Sequence, residues 1–117
     1  MENYIIEFYC KEDGTEPARE FMESLDAKMV AKILRVVDLL EKNGPMLRMP
    51  HSEYLVDGIF EIRAKQGTDI TRVLYFFTNG KKIILSNGFV KKTDKTPLKE
   101  IERAKLFRAD YERRHGR

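Results

Sequence analysis

A chain of 117 residues, 42% hydrophobic and 35% charged, has room for one core and one domain spanning 1–117, but not for a separate catalytic domain and cap. One cysteine, Cys10, excludes an internal disulfide, and no apolar run approaches the roughly 20 residues that span a bilayer. The net charge of +3 conceals an asymmetry: residues 1–57 carry 7 Lys+Arg against 12 Asp+Glu and residues 58–117 carry 15 against 7, so any surface for a polyanion is expected mainly in the second half.

The chain opens on Met1-Glu2-Asn3, not on a basic and then apolar signal segment, so a soluble cytoplasmic protein with no membrane partner is expected. Tyr4–Tyr9 reads as a short strand, rich in β-formers. After Asp13-Gly14, Thr15 is the expected cap of a helix with Pro17 in its first turn and a stripe of Ala18, Phe21, Met22 and Leu25. Asp26 caps a second helix, whose stripe of Met29, Ile33, Val36, Val37 and Leu40 ends at Asn43-Gly44-Pro45. The two helices are expected to form an antiparallel or steeply crossed pair.

From Ser52 the period changes to two. Strands are expected at Tyr54–Val56, Ile59–Lys65, Ile70–Thr78 and Lys82–Val90, with turns at Asp57-Gly58, Gly67-Thr68 and Asn79-Gly80. A helix from Leu98 to Arg114 follows, with a weaker stripe of Leu98, Ile101, Ala104, Phe107 and Tyr111. The fold class is therefore α+β: an antiparallel meander with the two N-terminal helices packed on one face, and a C-terminal helix.

Two-residue turns fix the register. Gly67-Thr68 sets Arg63 opposite Arg72, and Asn79-Gly80 would set Arg72 beside Asn87, Leu74 beside Leu85 and Phe76 beside Ile83. Alternation then places Arg63, Arg72, Asn87, Phe89 and, where the strand runs on, Lys91 on one face, and Phe60, Ile62, Val73, Tyr75, Phe77 and Ile84 on the other. Opposed guanidiniums need either an anion between them or a carboxylate, and Glu61, on the same face as Arg63, is the candidate for the second.

Metal-free RNA cleavage uses the ribose 2′-hydroxyl as nucleophile. It needs a base, a group that stabilises charge on the phosphorane oxygens, and an acid for the leaving 5′-oxygen. The forked, always charged Arg63 and Arg72 suit the stabilising task. Lys91 is the candidate acid or base, because neighbouring cations penalise its charged form. Lys92 and Lys95 suit backbone phosphates at the rim, beside Lys65, and Phe89 serves either as a stacking platform or as core. His51 and His115 are read as surface residues, and Cys10 with these histidines shows no ligand spacing, so neither metal nor cofactor is expected. Hydrolase triads and nucleotide-binding glycine patterns are absent.

Three segments in order, Phe60-Glu61-Ile62-Arg63, Arg72-Val73-Leu74-Tyr75-Phe76-Phe77 and the run from Asn87-Gly88-Phe89-Val90-Lys91-Lys92-Thr93 to Pro97, resemble the phage-type branch of the RelE/HigB toxin family, from about Pro17 to Tyr111. The resemblance implies a RelE-like fold and metal-independent, ribosome-dependent cleavage of mRNA by basic residues on a concave sheet face. It also implies a HigA-like helix-turn-helix antitoxin as partner, with operator DNA bound only through that antitoxin. Carried over residue by residue, the family's strand arginines match Arg63 and Arg72, and its basic strand-end motif matches Lys91-Lys92 and Lys95. Many relatives have histidine before the Gly-Phe pair; Asn87 stands here and cannot exchange a proton near neutral pH. A non-catalytic RNA-binding module and a gyrase-directed toxin of the same superfamily remain the alternatives.

Overall fold

A computed structural model describes residues 3–92 and 94–117; Met1, Glu2 and, within the basic strand-end run, Thr93 lie outside the described residues. The elements are β1 (Ile5–Phe8), α1 (Pro17–Glu23), α2 (Ala27–Asn43), β2 (Ser52–Val56), β3 (Ile59–Gln66), β4 (Asp69–Thr78), β5 (Lys82–Val90) and α3 (Leu98–His115). The sheet order is β1-β5-β4-β3-β2, with β2 to β5 an antiparallel meander and β1 added parallel to β5. Among the described residues no helix is long and apolar enough to cross a membrane.

Local chemistry accounts for the helix ends. Asp26 accepts from the Met29 amide at 2.8 Å and so caps α2 as expected. Thr15 does not cap α1: its hydroxyl donates to Asp13 Oδ1 at 2.7 Å, Glu16 stands at the N-cap without a side-chain capping bond, and Pro17 opens the helix. At the end of α2 the chain turns at Gly44 with φ +53, a conformation glycine adopts without steric cost.

The register expected from Gly67-Thr68 is the one observed, and Arg63 faces Arg72. The next hairpin differs. Its loop takes three residues, with Gly80 at φ 81 and Lys81 at φ 65, so Thr78 pairs with Lys82 and Tyr75 with Leu85. A bulge between Leu74 and Tyr75 then shifts the pairing again, setting Leu74 against Asn87 and Arg72 against Phe89. The expected Arg72–Asn87, Leu74–Leu85 and Phe76–Ile83 pairs are thereby replaced. The bulge also restores the alternation, which returns Asn87 and Phe89 to the face first assigned to them.

Each sheet face has its own core. On one, Ile62, Val73, Tyr75, Ile83 and Leu85 pack against Ala18 and Met22 of α1 and Met29, Ile33, Val36 and Leu40 of α2. On the other, Ile59, Leu74, Phe76 and Ile84 pack against Ala104 and Tyr111 of α3, with Ile101 and Phe107 partly buried beside them. Ile84 thus lies on the face opposite to the expected one, and the face read as charged is covered by a helix over part of its extent.

The N-terminal strand and α3 are tied by charge. The Tyr9 hydroxyl donates to Asp110, which also accepts from Arg114, and Arg114 donates to the Cys10 carbonyl. The Arg114 hydrogen bond, followed by that of Tyr9, holds the Asp110 carboxyl well below the usual range, so its contribution is present above about pH 4 and is lost as pH falls through its folded pKa. Burial, and then Asp110, push the Tyr9 phenol up to about 12. Because an unfolded tyrosine ionises near pH 10, the stability linked to Tyr9 is complete below that pH and disappears as the pH rises toward 12. Thermal melts at stepped pH values are expected to show a smaller fall in Tm between pH 10 and 12 for Tyr9→Phe than for the wild type.

Candidate functional site

Two rows of side chains cross the end of the sheet on the α3 face. One runs from Arg63 through Arg72 to Phe89. The next runs from Lys65 to Ile70 and is extended by Lys91, whose amide donates to the Ile70 carbonyl at 2.8 Å. Alternation along β3, β4 and the bulged β5 therefore gathers Arg63, Arg72 and the strand-end Lys91 at one end of one face, as expected, and brings Lys65 to the same end.

What stands between the arginines is a carboxylate. Glu61, only 1% exposed, accepts from Arg72 Nε at 3.1 Å and from the Thr96 hydroxyl. Arg63 Nε lies 3.3 Å from the same Glu61 oxygen without making a hydrogen bond, and its Nη2 lies 3.5 Å from Glu53. Arg72 is 5% exposed; burial first, with Arg63 adding to it, pushes its guanidinium below the usual value, while Glu61 opposes the shift. The pair is therefore not an unanswered cation waiting for an anion. Arg72 is held behind Glu61, and Arg63, with 21% of its side chain exposed, is the one that meets solvent.

Arg63 and Glu61 open onto a cleft of about 510 Å³ that Glu53, Asp94, Lys95 and Thr96 also line. Its charge is mixed. Lys65 and Lys92 are exposed and Lys91 is half-buried, so the cations that face solvent lie past the arginines, at the end of β3 and beyond β5.

Two residues expected at an RNA surface are placed otherwise. Asn87 is fully buried; its amide donates to the Glu100 carbonyl at 3.2 Å and to Glu100 Oε1 at 3.1 Å, and its oxygen accepts from Ser86 at 2.7 Å. It fixes the first turn of α3 and lies out of reach of a nucleic acid strand, because that helix covers the face it points to. Phe89 is partly buried against the core beneath α3, which favours the packing side of its two readings. Glu61 as the hub, Thr96 as its partner in the loop before α3, and Glu100 in the first turn of α3 as the partner of Asn87, were the residues least visible in sequence; the only signal was the shared face of Glu61 and Arg63. His51 contributes its carbonyl to Arg63 N, and the His115 ring lies 4.6 Å from that of Tyr111. Among the described residues no group of three or more His, Cys, Asp or Glu is placed to hold a metal ion.

The model of one protein family, described as "Phage derived protein Gp49-like (DUF891)", matches residues 20–107, which include β2 to β5 and the first half of α3. No curated protein matches the chain.

Proposed function

Because the chain belongs to the Gp49-like family of phage-derived proteins, a family associated with toxin–antitoxin systems, we propose that it is the toxin of such a system: a RelE/HigB-like endoribonuclease that cleaves mRNA on the ribosome. The observation that carries the reading is the gathering of Arg63, Lys65, Arg72 and Lys91 at one end of one sheet face, with Lys92 and Lys95 just beyond. In the reaction the ribose 2′-oxygen attacks the adjacent phosphorus, the bond from phosphorus to the 5′-oxygen breaks, one proton leaves the 2′-hydroxyl and another reaches the 5′-oxygen.

Arg63, at the cleft, takes the role of gripping the phosphorane oxygens with its fork. Arg72 acts through Glu61 as a positioning residue, since it is sealed from solvent. Lys91 serves one of the two proton transfers and solvent the other, and Lys65, Lys92 and Lys95 track the neighbouring phosphates. Asn87 has no part in RNA contact and positions α3. No metal or cofactor takes part in the scheme. The partner is a HigA-like helix-turn-helix antitoxin through which operator DNA is bound, and the setting is the cytoplasm.

One observation favours a second reading. Glu61 and Glu53 already answer the two arginines, which suits a module that binds RNA by its lysines alone and does not cleave it. Translating ribosomes incubated with the protein, followed by mapping of mRNA 5′ ends, separate the two. New ends bearing a 5′-hydroxyl are expected; intact message on ribosomes that have bound the protein would defeat the nuclease assignment.

A further inference from the structure

The acidic first half of the chain holds a cationic surface of its own. Lys28, Lys32 and Arg35 lie on one exposed stripe of α2 and, with Ala31 and Gln66, line a groove of about 350 Å³ that contains no carboxylate. The first eleven residues of α2 carry no acid, and the first one reached, Asp38, is paired with Lys42 at 3.1 Å. Lys28, Lys32 and Arg35 take part in none of the ion pairs among the described residues.

Stability does not explain this stripe. Lys28 sits in the first turn, where the helix dipole disfavours a cation, and Lys28 and Lys32 are like charges four residues apart, so both effects weigh slightly against the helix. Gln66, at the floor of the groove, is the last residue of β3, and its neighbour Lys65 points to the opposite face. The stripe and the Lys65–Lys91 row therefore flank the same end of the sheet, on either side of the Gly67-Thr68 turn.

We infer that the outer face of α2 is a second nucleic-acid surface, which docks the phosphate backbone of folded RNA while the opposite sheet face receives the single strand. Three cations spaced at i, i+4 and i+7 span about 10 Å along a helix, enough to meet successive phosphates across a groove. The inference rests on the toxin reading only for its biological object, the ribosome; its chemistry stands on the stripe itself.

The test uses the full chain and the triple variant Lys28→Gln/Lys32→Gln/Arg35→Gln, with an RNA hairpin of about 16 base pairs as probe and fluorescence anisotropy at several salt concentrations. The variant is expected to lose about tenfold or more in affinity near 0.1 M salt, and the slope of log affinity against log salt is expected to fall by about 2 to 3. Its Tm is expected to equal or slightly exceed that of the wild type, since glutamine is a good helix former and the repulsion is gone. An unchanged hairpin affinity would overturn the inference, and so would equally tight binding of poly-glutamate by the wild type, which would assign the stripe to an acidic polypeptide. Loss of hairpin binding by the variant, in a protein that cuts no mRNA, would leave the docking face standing and remove the nuclease. Cleavage by a protein whose hairpin binding ignores the three substitutions would do the reverse.

Discussion

Glu61→Ala is expected to lower the free energy of unfolding by about 3–5 kcal/mol, the largest single effect among the polar residues of the sheet. The carboxylate is 1% exposed and lies within 3.3 Å of both the Arg63 and Arg72 guanidiniums. Without it Arg72, itself 5% exposed, would be a buried cation with no carboxylate at ion-pair distance, and guanidinium does not shed its proton to escape that cost. The Thr96 hydroxyl would lose its acceptor as well, which loosens the loop ahead of α3. Urea unfolding followed by circular dichroism measures the loss. A change below about 1 kcal/mol would show that the arginines find other partners, and Glu61→Gln, which keeps the shape without the charge, is expected to lie between the two.

Arg63→Ala is expected to reduce mRNA cleavage on ribosomes by about 10²- to 10³-fold and to relieve growth arrest on expression, the range found when one preorganised donor to a developing oxyanion is removed. Stability should suffer far less than in Glu61→Ala, because Glu61 keeps Arg72 and Thr96. Arg63→Lys preserves the charge but not the fork, and should recover only a small part of the rate. Full toxicity of Arg63→Ala in a folded protein would remove Arg63 from the chemistry. Arg72→Ala is the poorer probe. It strips a buried carboxylate of its best-placed partner, so a loss of activity there would mix stability with catalysis.

Much of this arrangement was legible in the alternation of residues. Arg63 opposite Arg72 followed from a two-residue turn at Gly67-Thr68, which the chain uses. The next turn misled, because Lys81 takes a left-handed conformation that lysine rarely adopts and adds a third loop residue; no sequence pattern announces that. The bulge after it cancelled the error for Asn87 and Phe89 but not for Ile84. The covering of the second face by α3 was foreshadowed in β4, where Val73, Leu74, Tyr75, Phe76 and Phe77 run without a polar residue, as a strand buried on both sides does. The depth of Arg72 was not legible, since it depends on the loop through Thr96, which alternation does not reach.

The clasp between Tyr9, Cys10 and the Asp110–Arg114 pair has a consequence for the order in which the protein can be made. Synthesis runs from β1 toward α3, yet β1 rests on β5, and the side chains that secure its end come from residues 101 positions or more later in the chain. A nascent chain still short of α3 has its sheet open on one side, with Leu74, Phe76 and Ile84 uncovered. The second sheet face and the end of β1 are thus secured only once α3 has emerged, a delay written into the topology itself.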